Sequence, residues 1–183
     1  MAKVYVFFAD GFEEVEALTT VDLLRRANVE VVMTSIMGKN TVTGAQGITV
    51  CTDKIFEEID PSDADMLILP GGQPGTTNLS QYKPLTDLLT EWNAKGKKMA
   101  AICAAPTVFG GLGLLNGRKA TCYPGCESGL TGAQTSTDRV VTDGNITTSR
   151  GVGTAISFGL ELVSILVDKK TADELKEAIV YGH

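Results

Sequence analysis

KVYVFFADGFEEVEALTTVDLLRRANVEVVMTSI, residues 3–36, reads as a strand, a helix and a second strand. Residues 3–8 are continuously apolar and rich in β-branched and aromatic side chains, as a strand covered on both faces requires. Ala9-Asp10-Gly11-Phe12 then turns the chain. Residues 13–27 carry Val15, Leu18, Val21 and Leu24 at three-residue steps. Acids fill the first turn and Arg25 and Arg26 the last, which complements the helix dipole. Residues 29–36 supply the next strand. Such a βαβ unit favours a right-handed crossover in a mostly parallel sheet.

The pattern continues outward. TVTGAQGITVCTD (41–53) alternates and is broken by glycines, which predicts a hairpin with Cys51 on an edge-like strand. ADMLILPGG (64–72) is a buried strand ending in a turn. A helix over about 83–95, a short strand 98–102 and a helix from Pro106 follow. Asp143-Gly144-Asn145 marks a hairpin in 139–149, 153–169 is a strongly apolar helix, and 171–180 a final one. No repeat, linker or low-complexity segment divides the 183 residues, so residues 1–183 are expected to form a single domain with a doubly wound α/β architecture. In such sheets ligands gather beyond the carboxyl ends of the strands. The loops there are ADGFEE, PGGQPG and CAAP.

The 22 acidic and 16 basic residues give a net charge of −6. Without a basic run, neither nucleic acid nor an anionic membrane is a suitable partner. The opening residues lack the features of a secretory leader and no segment approaches a membrane span, so a cytoplasmic protein is expected. The four cysteines (Cys51, Cys103, Cys122, Cys126) are too few for a disulfide scaffold. Cys122 and Cys126 form a C-x3-C pair, but the one histidine is His183, so no metal site is expected.

MAAICAAPTV (99–108) sets Cys103 between two pairs of alanines. A strand that turns directly into a helix holds its corner residue in strain and pushes the side chain above the sheet. Ala100, Ala101, Ala104 and Ala105 let the backbone approach the thiol, and Pro106 suits a first helical turn. A helix N-terminus is expected to favour the thiolate. The glycines of LPGG (69–72) allow the Gly71 and Gly72 amides to face a developing negative charge. Among Glu13, Glu14 and Glu16, Glu16 adjoins Val15 and Leu18 and is the candidate for a partly buried carboxyl, which burial would keep protonated. The plain alternative makes Cys103 a small core residue, LPGG a simple turn and the acids dipole partners.

ADGFEEVEA, LPGG, AAICAAPT and TSRGVGTAISFGLELV together resemble the ThiJ/PfpI superfamily, most closely its DJ-one branch, over residues 3–170. The resemblance implies a three-layer flavodoxin-like sandwich, class I glutamine amidotransferase-like, with helices on both faces of the sheet, and a homodimer. It also implies a reactive cysteine at Cys103, an acid at Glu16 that hydrogen-bonds to it, and amides at Gly71 and Gly72. Arg26 on the early helix and the strand with Cys51 match regions that look like the dimer interface. Ala104 and Tyr123 fall where substrate would be contacted; Tyr123 replaces a histidine found in many members.

Three functions compete. The first is a cofactor-independent enzyme for small reactive carbonyls or glycated protein, of glyoxalase III or deglycase type. The second is a redox sensor or redox-regulated chaperone working through a Cys103 sulfinate. The third is a structural dimer without activity. A cysteine protease or amidase ranks lower, because a Cys-His dyad has only His183 to draw on. Cys122 is read as a packed strand cysteine rather than a resolving thiol.

Overall fold

The computed structural model describes residues 1–182; His183 lies outside them. The first half comprises β1 (Lys3–Phe8), α1 (Glu14–Arg26), β2 (Glu30–Ser35), β3 (Thr41–Thr43), β4 (Thr49–Cys51), β5 (Lys54–Ile55), β6 (Met66–Leu69), α2 (Gly75–Gln81) and α3 (Lys83–Ala94). The second comprises β7 (Lys98–Ile102), α4 (Pro106–Gly111), β8 (Lys119–Ala120), β9 (Gln134–Thr135), β10 (Val140–Asp143), β11 (Ile146–Ser149), α5 (Ala155–Leu166) and α6 (Lys169–Ala178).

Seven strands form the central sheet in the order β10-β11-β7-β6-β1-β2-β5. Only the β10–β11 pair is antiparallel. The pleat of β1 divides the core, because successive side chains point to opposite faces. Val4, Val6 and Phe8 pack with Leu24 of α1 and Phe158, Leu162 and Val163 of α5. Tyr5 and Phe7 pack with Leu79 of α2, Leu85 and Leu89 of α3 and Phe109 of α4. The result is the three-layer, mostly parallel α/β sandwich that the sequence predicts. The expected hairpins form as β3–β4 and β10–β11, and Cys51 is exposed on β4.

Two local expectations are corrected. The face of α1 that meets the sheet carries Glu16, Ala17, Thr20, Val21, Leu23 and Leu24, whereas Val15 is 47% exposed. Each three-residue step falls about 60° short of a full turn of a 3.6-residue helix, so Val15 and Leu24 lie on opposite sides. Residues 75–81, to which the sequence pattern assigns no element, form α2. Its sequence GTTNLSQ has one large apolar residue, Leu79, and burial of that residue in the core outweighs weak helix propensity.

At the carboxyl end of the sheet the turns after β1 and β6 are laced together. The Glu13 amide donates to Gly71 O at 2.9 Å and the Gly75 amide to Gly11 O at 3.2 Å. Replacing Phe158 with Ala, at a side chain fully removed from solvent between α5 and the sheet, is expected to cost about 3–5 kcal/mol in denaturant unfolding. A loss below about 1 kcal/mol would contradict this account of the core.

Candidate active site

Cys103 is the first residue beyond β7 and has φ of +67°, the left-handed region that a non-glycine residue seldom occupies. Both ends of this peptide unit are fixed. Its amide donates to Ser149 O at 3.0 Å, and its carbonyl accepts from the Tyr123 amide at 2.8 Å. Ala104 and Ala105 are buried, and Pro106 opens α4. The thiol itself is half-buried.

Glu16 projects from α1 beneath this corner and is completely shielded from solvent. Its Oε2 accepts the Gly71 amide at 3.0 Å, and its carboxyl hydrogen-bonds with the Cys103 thiol. Gly71 sits between the two, where a Cβ would fall 2.5 Å from Cys103 Cβ and 2.6 Å from Glu16 Oε2. Gly72 has φ of +93°, and a Cβ there would lie 2.3 Å from the Glu13 amide nitrogen. The expected pair of amides at the sulfur is therefore rearranged. Gly71 serves Glu16, and the backbone amides of Gly72 and Ala104 are those that reach the thiol.

Burial, above all, pushes the Glu16 carboxyl up to about 7, against the pull of the Cys103 and Gly71 hydrogen bonds. Burial followed by the neighbouring Glu16 charge pushes the Cys103 thiol up to about 12, and the Ala104 and Gly72 amides oppose this only in part. The sequence expectation of a thiolate favoured by the helix N-terminus is thus corrected. Desolvation and a carboxylate in contact outweigh two amides and the six-residue α4. At neutral pH the arrangement is a thiol beside a carboxyl poised between its two states.

The second oxygen of Glu16, Oε1, is buried and has no hydrogen-bond partner. It looks toward Gly151, whose Cβ position would be 3.7 Å from Oε1 and 3.3 Å from the ring of Tyr123. Tyr123, 52% exposed, and the bare Gly151 backbone therefore lie on the side of Glu16 that Oε1 faces. Sequence reasoning missed Gly151; its place in SRGVGT, at the end of β11 beside β7, was the available signal. Cys122 lies just past β8 in the core cluster on the α3–α4 face, whereas Cys103 packs against the opposite cluster.

A cysteine in the left-handed region at the strand-to-helix corner of a three-layer, mostly parallel α/β sandwich is the feature around which this site is built. The DJ-1/PfpI family profile matches residues 2–165, and the chain belongs to this family. It is 39% identical over 180 residues to Protein DJ-1 homolog B of Arabidopsis thaliana, covering 97% of this chain and 41% of that protein. The chain thus spans less than half the length of this relative. A deglycase of Pyrococcus abyssi is 33% identical over 167 residues, covering 90% of this chain and 99% of that one. The oxidized Toxoplasma gondii DJ-1 structure superposes with a TM-score of 0.95 at 35% identity over the whole of both chains.

The raised Glu16 value has a consequence for stability. Between the ordinary carboxylate value of 4.5 and about 7, the folded chain holds a proton that the unfolded chain has released. Stability contributed by this group is therefore greatest below pH 4.5 and is lost as pH rises to about 7, by on the order of 3 kcal/mol. Chemical unfolding of wild type and Glu16→Gln across pH 5–8 is expected to show this fall in the wild type alone. Parallel profiles would contradict it.

Proposed function

We propose that this protein is a cysteine-dependent, cofactor-independent enzyme for reactive carbonyls, of the glyoxalase III or protein deglycase type. One observation carries the reading: the Cys103 thiol is strained, half-open and hydrogen-bonded to a buried carboxyl that titrates near neutrality. A general base is most effective when its pKa is near the working pH. The name of the Pyrococcus abyssi relative supports the same reading.

With a 2-oxoaldehyde such as methylglyoxal, the Cys103 sulfur adds to the aldehyde carbon while its proton passes to the Glu16 carboxylate and on to the new alkoxide. The Gly72 and Ala104 amides stabilise that oxygen as its charge develops. Glu16 then takes the hydrogen of the former aldehyde carbon as a proton and returns it to the neighbouring carbon, while the hydroxyl proton on the first carbon passes to the oxygen of the second. This internal redox step leaves a thioester of the hydroxy acid. Water cleaves the thioester, releasing the acid and restoring the thiol, so aldehyde plus water gives hydroxy acid without an external oxidant. Ala104 and Tyr123 border the substrate, and Gly71 positions Glu16.

Conversion of methylglyoxal to lactate is expected to fall at least about 100-fold in Cys103→Ser and in Glu16→Gln. In the wild type, kcat/KM should rise as pH passes about 7, where Glu16 becomes the base. Turnover unchanged in Cys103→Ser would end this reading.

A second reading, a redox sensor or redox-regulated chaperone, is favoured by the unpartnered Oε1 of Glu16, since a protonated carboxyl beside the Cys103 thiol can donate to a sulfinate oxygen. Intact mass after mild peroxide should place two oxygens on Cys103; their appearance on Cys51 instead would contradict it. The homodimer belongs to both readings. Its support is the apolar surface of Val15 on α1 and Ile48 in the β3–β4 turn, 47% and 54% exposed on segments that the Glu14 carboxylate joins through the Gln46 amide. Sedimentation should give twice the chain mass for the wild type and the single mass for Ile48→Asp. Among the described residues no helix is long and apolar enough to cross a membrane.

A further inference from the structure

We propose that Cys122 and Cys126 form a reversible disulfide, a modification site separate from Cys103. The placement of both residues is set by one oxygen. Cys122 Sγ lies 3.4 Å from Tyr123 O, and the Cys126 amide donates to the same atom at 3.0 Å. That second bond closes the turn Tyr123-Pro124-Gly125-Cys126, in which proline leads and Gly125 supplies the required positive φ of +93°. Cys122 Sγ and the Cys126 amide thus meet at one atom, which makes the two cysteines near neighbours at the turn. Cys122 belongs to the core cluster on the α3–α4 face, and Cys126 packs against the same cluster.

The two thiols differ in access. Cys126 is half-buried and open to small oxidants, while Cys122 is buried. A peroxide delivers one oxygen to the Cys126 sulfur, giving a sulfenic acid and one water. The Cys122 sulfur then attacks that sulfur; its proton leaves with the hydroxyl as a second water, and an S–S bond replaces two S–H bonds. Two electrons pass from the thiols to the peroxide. Three charged or titratable groups act on Cys122: the Glu127 carboxylate and the Cys126 thiol hold its proton on, and the Arg150 guanidinium opposes them. Burial is the largest influence and pushes the thiol up to about 11, so the closing step should quicken as pH rises. The five-residue ring would enclose Tyr123, whose amide carries the Cys103 carbonyl.

The test removes Cys103 from the chemistry. Cys103→Ser protein is treated with hydrogen peroxide and its intact mass read without reductant. Loss of two hydrogens per chain, reversed by dithiothreitol, is expected, with peptide mapping joining Cys122 to Cys126. In the same background Cys126→Ser should show no such loss, and this half-exposed position guards against a variant that fails to fold. Addition of one or more oxygens to Cys126 without loss of hydrogen, an unchanged mass, or a bridge that includes Cys51 would overturn the proposal. None of these outcomes bears on whether Cys103 is a nucleophile.

Discussion

The Gly71 amide donating to Glu16 at 3.0 Å joins the turn after β6 to the first turn of α1, and the remainder of the site is arranged around it. A carboxyl with no solvent access needs such a partner, because an unpaired buried acceptor is costly. The bond fixes which oxygen is occupied and leaves the other free toward Gly151. It also explains why glycine stands at 71, since a side chain there would meet both Cys103 and Glu16.

Around that bond two acidic groups lie together, the Glu16 carboxyl fully buried and the Cys103 thiol half-buried. Burial disfavours charge on either, and contact disfavours charge on both together. The thiol consequently keeps its proton and the carboxyl becomes the group that changes state near neutral pH. In the proposed enzyme, nucleophilicity would come from moving the proton during attack rather than from a standing thiolate. The left-handed backbone at Cys103 is held in place by the hydrogen bonds to Ser149 and Tyr123.

Much of the fold was legible because residues 4–8 of β1 and all of β6 are unbroken apolar runs and the intervening helices are bounded by clear turns. The identity of Glu16 was legible as well, although for an incomplete reason: the residue was linked to Val15, which points to solvent, whereas it is buried by sharing a face with Thr20 and Leu23. Which amide meets which acceptor was not legible. Gly71 and Gly72 are identical letters, and only the folded path of the turn sends one to the carboxylate and the other to the thiol. α2 was hidden for a related reason, since Leu79 alone signals its burial and no local pattern repeats it.

The borders of the main sheet carry one more implication. At one border β5 has only two residues, and at the other β10 runs antiparallel to its neighbour and is accompanied by β8, whose Lys119 amide binds the Asp143 side chain. Neither border offers a long row of vacant amides and carbonyls, so recruitment of a foreign strand, the usual route to open-ended polymers, has little to template on. The central sheet is therefore a poor template for strand-by-strand growth from copy to copy.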